Sequence, residues 1–443
     1  MTNGKVLYQD ETKKALENFI ITGHPFSKRL AHRVALVKIA AAKANEATGV
    51  LPKNIADAIC AAGEELLRHD YDEHIVVDRF QGGAGTSVNM NVNEVIATRA
   101  TEIMGGETVV HPLDHVNRSQ STNDVIPTAM KIAALQLLDK LIGAYEQYAL
   151  ALKEKAREFE KIIKIGRTQL QDAVPMTLGQ EFLAHAAAAR ADIERLKRAK
   201  PCLYELNLGG TAIGTGINAT PEYQKFAIEY LARRTGYPLR PAADLIYATQ
   251  YADSFMEVSA LITVNATNLI KCMNDLRLLS SGPRTGFGEI TFAAVQKGSS
   301  IMPGKVNPVL AETINQICFQ IIGNNQTILM AVQAGQLELN VMLPVVAKNL
   351  FESLNALTNG LIAFTERALK TLTANPERCR GLLENSLALA TALTPKLGYD
   401  QAATIVKQAM EENKTLRAIL AEHNIMTTEE FDGLLNDDKL TRW

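Results

Sequence analysis

The chain has 443 residues, 47% of them hydrophobic and 21% charged, with a formal net charge of −2. That balance fits a globular protein of two or three domains with a large core, and it excludes recruitment of nucleic acid or an anionic membrane by a global field. Aromatic residues make up only 6%, while Ala and Leu are abundant, which favours helix-on-helix packing over a β-sandwich.

The periodicity predicts helices over 12–19, 28–46 and 54–69. Three glycines at 82, 83 and 85 break the chain, and a helix resumes over 89–104. Ser121, Thr122 and Asn123 are capping residues ahead of a very long apolar-periodic stretch, 125–160. Pro127 is tolerable in its first turn. A polar turn at 166–175, with Arg167 and Asp172 as a local ion pair, separates it from a helix over 177–199. A glycine-rich loop spans 207–219, and a shorter helix covers 221–236. Long helical runs follow over 242–280, 312–333 and 339–373. The remainder breaks into short helices over 376–387, 399–411, 415–423 and 428–436. The predicted architecture is mainly α in three domains: an N-terminal helical domain (1–118), a central long-helix bundle (119–373) and a small C-terminal helical domain (374–443). Helices of such length seldom stand alone, which predicts burial against other subunits.

The five cysteines (Cys60, Cys202, Cys272, Cys318 and Cys379) are odd in number, widely spaced and without a CxxC pair. Neither a disulfide frame nor a zinc site is expected, and a reducing, cytoplasmic setting fits. His111 and His115 have metal-ligand spacing, but Pro112 between them opposes a shared helix face, so no metal ligands are assigned. No apolar run is long enough to span a membrane, and residues 1–5 open no signal peptide.

Chemistry concentrates in four polar segments beside long helices. Residues 82–87 (GGAGTS) let backbone N–H groups approach an anion closely. Residues 119–124 (SQSTND) sit where a helix N-terminus favours negative charge. Residues 166–172 (GRTQLQD) add a hydroxyl and an amide. Residues 298–308 (GSSIMPGKVNP) hold two hydroxyls, one cation and one amide between Gly and Pro punctuators. Hydroxyls beside a cation suit a small dianionic acid and the charge it develops when carbon loses a proton. The last segment is no P-loop: five residues separate its glycines, and Val306 follows Lys305. The glycines of 209–216 miss the dinucleotide-binding spacing, and no strand precedes them.

Taken together, the four segments resemble the aspartase/fumarase superfamily, whose GSSxMPxKxN loop is matched from Gly298 to Asn307. The forms of 82–87 and 166–175 are most similar to those of its aspartate ammonia-lyases. The resemblance implies the L-aspartase-like fold and a homotetramer whose active sites are each shared by three chains. It implies reversible anti elimination of ammonia from L-aspartate, giving fumarate through an aci-carboxylate. The alternative is a class II fumarase, or a lyase of another substituted succinate. By resemblance Ser299 is the general base at C3. Thr86, Ser121, Thr122 and Ser300 would bind the C4 carboxylate, and Lys305 and Asn307 the C1 carboxylate. Asn123, Thr168 and Gln169 would face the amino group. Fumarases usually carry a histidine where Gln169 stands. Hydroxide is a poor leaving group and needs an acid, whereas ammonia departs with less help. The resemblance implies hinges at Gly286, Gly288 and Gly298. It implies no required cofactor, although divalent cations activate some members.

Overall fold

The structure, a computed structural model, describes residues 6–435. The start at 1–5 and the expected helix end at Asn436 lie outside the described residues. The chain is mainly α, with three short two-stranded sheets among the described residues. It divides into two compact units. The first comprises residues up to Ile142, Glu194–Ala266 and Ile317–Thr358; the second comprises Gly143–Ile193, Thr267–Gln316 and residues from Asn359 onward.

In the first unit, the Lys28–Ala47 helix is buried nearly all round, from Leu30 to Asn45. It packs on the Lys53–Leu67 and Pro221–Thr235 helices. Lys53–Leu67 buries Ile55, Ile59, Ala62 and Leu66, the stripe expected of a helix against a core. Its Gly63 permits close approach, since a Cβ there would lie 2.6 Å from Ile39 Cγ1. The Asp10–Asn18 helix is held by one buried carboxylate. Glu94, in the Thr86–Ile103 helix, accepts the N–H groups of Gln9, Glu11 and Thr12 at 2.8, 2.9 and 3.2 Å. The Thr12 hydroxyl adds a bond of 2.6 Å. These are the orphan donors of a helix start, met by a charge of the favourable sign.

In the second unit, the residues expected to form a polar turn instead make an antiparallel hairpin, Ile163–Thr168 with Gln171–Thr177. Ile165 from this hairpin packs into a cluster with Leu383, Leu393, Ile405 and Phe431. The short C-terminal helices therefore fix the hairpin, and one of them, Ala390–Leu397, had no clear sequence signal. The expected run over 242–280, which starts in the first unit and ends in the second, is two helices, Leu245–Gln250 and Asp253–Leu279. Asp244 caps the first, Tyr251 is extended, and the Tyr247 hydroxyl donates to Asp253 across the break. The run over 339–373 narrows to Leu343–Phe364 and then a single π-turn.

All five cysteines are free, and burial pushes their thiols up, to about 11 for Cys60 and about 12 for the other four. No described helix is long and apolar enough to cross a membrane. Replacing Glu94 by Ala leaves three N–H groups without their acceptor and should cost about 2 kcal/mol or more. Hydrogen exchange should then quicken in residues 10–18 relative to 28–47; equal protection in variant and parent would show that Glu94 does not anchor this helix.

Candidate active site

Four of the expected site residues come together in the first unit. Thr86 opens its helix after three left-handed residues, Gly83, Ala84 and Gly85, with φ of 68°, 56° and 96°. Such a run turns successive N–H groups toward one side, and Gly85 also needs its missing side chain: a Cβ would lie 3.2 Å from Ile126. Ile126 belongs to the Thr122–Glu158 helix, so the loop is seated on the turn that carries Ser121, Thr122 and Asn123. Asn89 Nδ2 ties the two elements by donating to Thr122 Oγ1 at 3.2 Å. Ser121 Oγ accepts the Asn123 N–H at 3.2 Å, and Asn123 Nδ2 donates to the Ala212 carbonyl at 2.8 Å.

Beneath this turn lies Asp124, fully buried. Its carboxylate accepts N–H groups from Ser121 at 2.9 Å and from Gly209 and Thr211 at 3.0 Å each. The glycine-rich stretch after Asn207 thus serves as a backbone cradle for Asp124. Lys38, also fully buried, donates to Asn117 Oδ1 at 2.8 Å and Gln120 Oε1 at 3.0 Å. Burial pushes Asp124 up to about 6, against the pull of its three N–H donors and of Lys38, and pulls Lys38 down to about 7.

The other six residues lie in the second unit. Thr168 and Gln169 stand at the hairpin tip, where Gln169 and Leu170 have φ of 53° and 61°. A two-residue turn with both central residues left-handed ordinarily takes Asn-Gly, so this tip holds a strained conformation with bulky residues. The hairpin is anchored from below. Glu289, fully buried, pairs with Lys164 and Arg167 at 2.8 Å each, and Arg167 stacks 4.1 Å from the Phe287 ring centre. Asp172 faces Arg167 across the strands, but the expected ion pair is replaced by the one to Glu289.

Ser299, Ser300, Lys305 and Asn307 share the 298–308 loop. Ser299 Oγ accepts the N–H groups of Ile301 and Met302 at 3.2 and 3.1 Å. Asn307 Nδ2 donates to the Gly298 carbonyl at 2.7 Å and closes the loop at its base. Gly298 is needed there, because a Cβ would lie 1.9 Å from the Lys305 carbonyl oxygen. Ser300 and Lys305 are exposed. Lys305, Asn307 and Glu312 line a cavity of about 420 Å³ together with Arg277, Ser280 and Ser281. Neither Thr168 nor Gln169 is on the walls of this cavity or of the neighbouring cleft formed by 294–306.

The sequence reading missed the support beneath these residues: Lys38, Asn89, Asp124 with its cradle, and Glu289. One signal was present, a lysine set inside the otherwise apolar run 34–42. It also missed the group of metal-ligating side chains found among the described residues, His32, His69 and Asp72. His111 and His115 instead turn Nδ1 to backbone N–H groups, His111 to those of Leu113 and Asp114 and His115 to that of His111.

The family described as Lyase matches residues 4–323, and that described as Fumarase C C-terminus matches 389–442. An aspartate ammonia-lyase of Bacillus subtilis (strain 168) is 48% identical over 441 residues, covering 99% of this chain and 93% of that protein. One of Escherichia coli (strain K12) is 44% identical over 440 residues, covering 98% and 92%. Among solved structures, a fumarate lyase:delta crystallin from Brucella melitensis bound to cobalt superposes with a TM-score of 0.94 at 45% identity, covering 98% of this chain and 95% of that one. A recombinant class II fumarase from Schistosoma mansoni gives 0.91 at 35% identity, again covering 98% and 95%. The loop of Ser299, the hairpin tip and the helix starts at Thr86 and Thr122 therefore sit in a fold shared along almost the whole chain, and the chain belongs to the aspartase/fumarase superfamily of lyases.

Proposed function

We propose that the chain is an aspartate ammonia-lyase, a carbon–nitrogen lyase that interconverts L-aspartate with fumarate and ammonia. The observation that carries the reading is the setting of Ser299. A serine hydroxyl is far too weak a base for a C3 proton unless its alkoxide is stabilised. Two backbone N–H groups already point at Oγ, and Lys305 supplies a cation in the same loop. Ser299 then takes the C3 proton, and the C–H electron pair moves into the C4 carboxylate as an enediolate. Thr86, Ser121, Thr122 and Ser300 receive that charge, while Lys305 and Asn307 hold the C1 carboxylate. Collapse of the enediolate forms the C2–C3 double bond and breaks C2–N, and ammonia leaves with its electron pair. Asn123, Thr168 and Gln169 face the amino group. Gln169 binds without titrating, which suits an amine leaving group better than hydroxide.

The reading takes the chain to assemble as a homotetramer, with each site built from three chains. Phe319 and Met330, on the Val309–Gln333 helix, are 57% and 64% exposed, a cost that burial against other copies would remove. No added cofactor enters the steps, the substrates are small molecules, and a cytoplasmic site of action fits the free thiols. Divalent-cation activation is a separate matter, because every step above uses side chains and backbone alone.

Fumarate absorbance in the ultraviolet, followed with L-aspartate and with malate as separate substrates, tests the assignment. Aspartate should be consumed with release of ammonia, and turnover of malate alone would overturn it. Ser299→Ala should lower kcat by about 10²–10⁴-fold with little change in KM; near-parental kcat would remove Ser299 from the base role. Lys305→Met should chiefly raise KM, and an unchanged KM would count against its carboxylate contact. Gln169→His should raise malate turnover relative to aspartate, and an unaltered ratio would mean that selectivity is set elsewhere.

A further inference from the structure

We propose that His32, His69 and Asp72 form a binding site for one borderline divalent transition-metal ion, of the zinc or cobalt class, independent of the substrate site. The three residues come from separate elements of the first unit. His32 lies in the second turn of the Lys28–Ala47 helix, His69 follows the Lys53–Leu67 helix, and Asp72 opens the single turn Asp72–His74. Their convergence is specific. Asp72 Oδ1 lies 2.5 Å from His32 Nε2, and Oδ2 lies 2.9 Å from His69 Nδ1. The imidazole rings meet edge to face at 4.3 Å and 88°. One ligand atom from each residue lies within 4.8 Å of the other two. Ligands about 2.0–2.1 Å from a tetrahedral metal stand roughly 3.3 Å apart, so small side-chain rotations complete the set.

The backbone is committed to this arrangement. His69 holds φ of 71°, at a helix end where glycine is the usual choice, and that conformation carries its ring toward His32. Burial grades across the site: the side chains of His32 and Asp72 are 4% and 18% exposed, and that of His69 is 65% exposed. Two ligands are thus fixed, while the His69 side opens to solvent and leaves an entry path and a position for water. Imidazoles bind metal in their neutral form, so this donor set would offer a divalent ion one negative charge, from the carboxylate. On binding, each ring keeps one proton by moving it to its other nitrogen. The neighbouring charges do not block the site. Arg68 is engaged by Asp70 at 3.0 Å, and Lys28 Nζ, 4.0 Å from Asp72 Oδ2, is on a half-exposed, flexible side chain. Arg33 is the neighbouring residue of His32 on the same helix. A donor set of two nitrogens and one oxygen selects zinc or cobalt over magnesium or calcium.

The test is titration of the chelator-treated full-length protein with Co²⁺, read by the visible d–d absorption of a four-coordinate site and by equilibrium dialysis. One cobalt ion per chain should bind at micromolar free metal. His69→Ala, a change at an exposed side chain, should weaken binding at least about tenfold while circular dichroism stays parental. Asp72→Asn should do the same if it folds. Absence of stoichiometric cobalt would overturn the proposal, as would undiminished binding by His69→Ala or binding lost only on His111→Ala.

Discussion

A carboxylate with no access to water sits under the start of the longest helix, and the polar half of the first unit is arranged around it. Asp124 takes N–H groups from its own turn and from the glycine-rich stretch after Asn207, so two remote pieces of chain are fastened at one point. An ion buried in this way is tolerable only when fully hydrogen-bonded. Lys38 acts on it electrostatically without touching it, its Nζ being hydrogen-bonded to Asn117 and Gln120 instead. The hydroxyls of Ser121 and Thr122 therefore rest on a base that cannot shift by small amounts. Preorganisation of that kind is what an oxyanion site requires, because donors already in place cost nothing to reorient when charge develops.

The second unit uses a different device. Its working loop is exposed and held at the base by the amide of Asn307 and the close approach at Gly298, while Ser299 is aimed by N–H groups from its own turn. The hairpin tip is rigid instead: Arg167 and Lys164 clamp it to Glu289, and Ile165 roots it in the C-terminal helices. The tip is therefore held firmly, whereas the exposed loop is held only at its base.

Much of this is legible in the sequence. Helix identity followed from apolar periodicity, and the polar segments were recognisable because six consecutive polar residues at 119–124 exceed what capping needs. The failures have physical causes. Gly166 and Pro175 look like loop punctuators, yet Pro175 is tolerated opposite Ile165 in a two-stranded hairpin with no further neighbour. The break at Tyr251 has no Gly or Pro to announce it; a side-chain bond from Tyr247 to Asp253 sets it. Arg167 found Glu289 rather than Asp172 because a partner remote in sequence was buried and the near one was not. His32, His69 and Asp72 fall outside any motif spacing, since tertiary packing of two helices brings them together.

The state of the thiols has a further meaning. None of the five cysteines is poised as a thiolate, since burial has raised every one. Electrophiles and peroxides react with the anion, not with the protonated sulfur. The groups assigned to the chemistry are alcohols, amides and one ammonium, none of which is readily oxidised. The sulfurs of this molecule are thus poorly suited to serve as nucleophiles or as redox sensors.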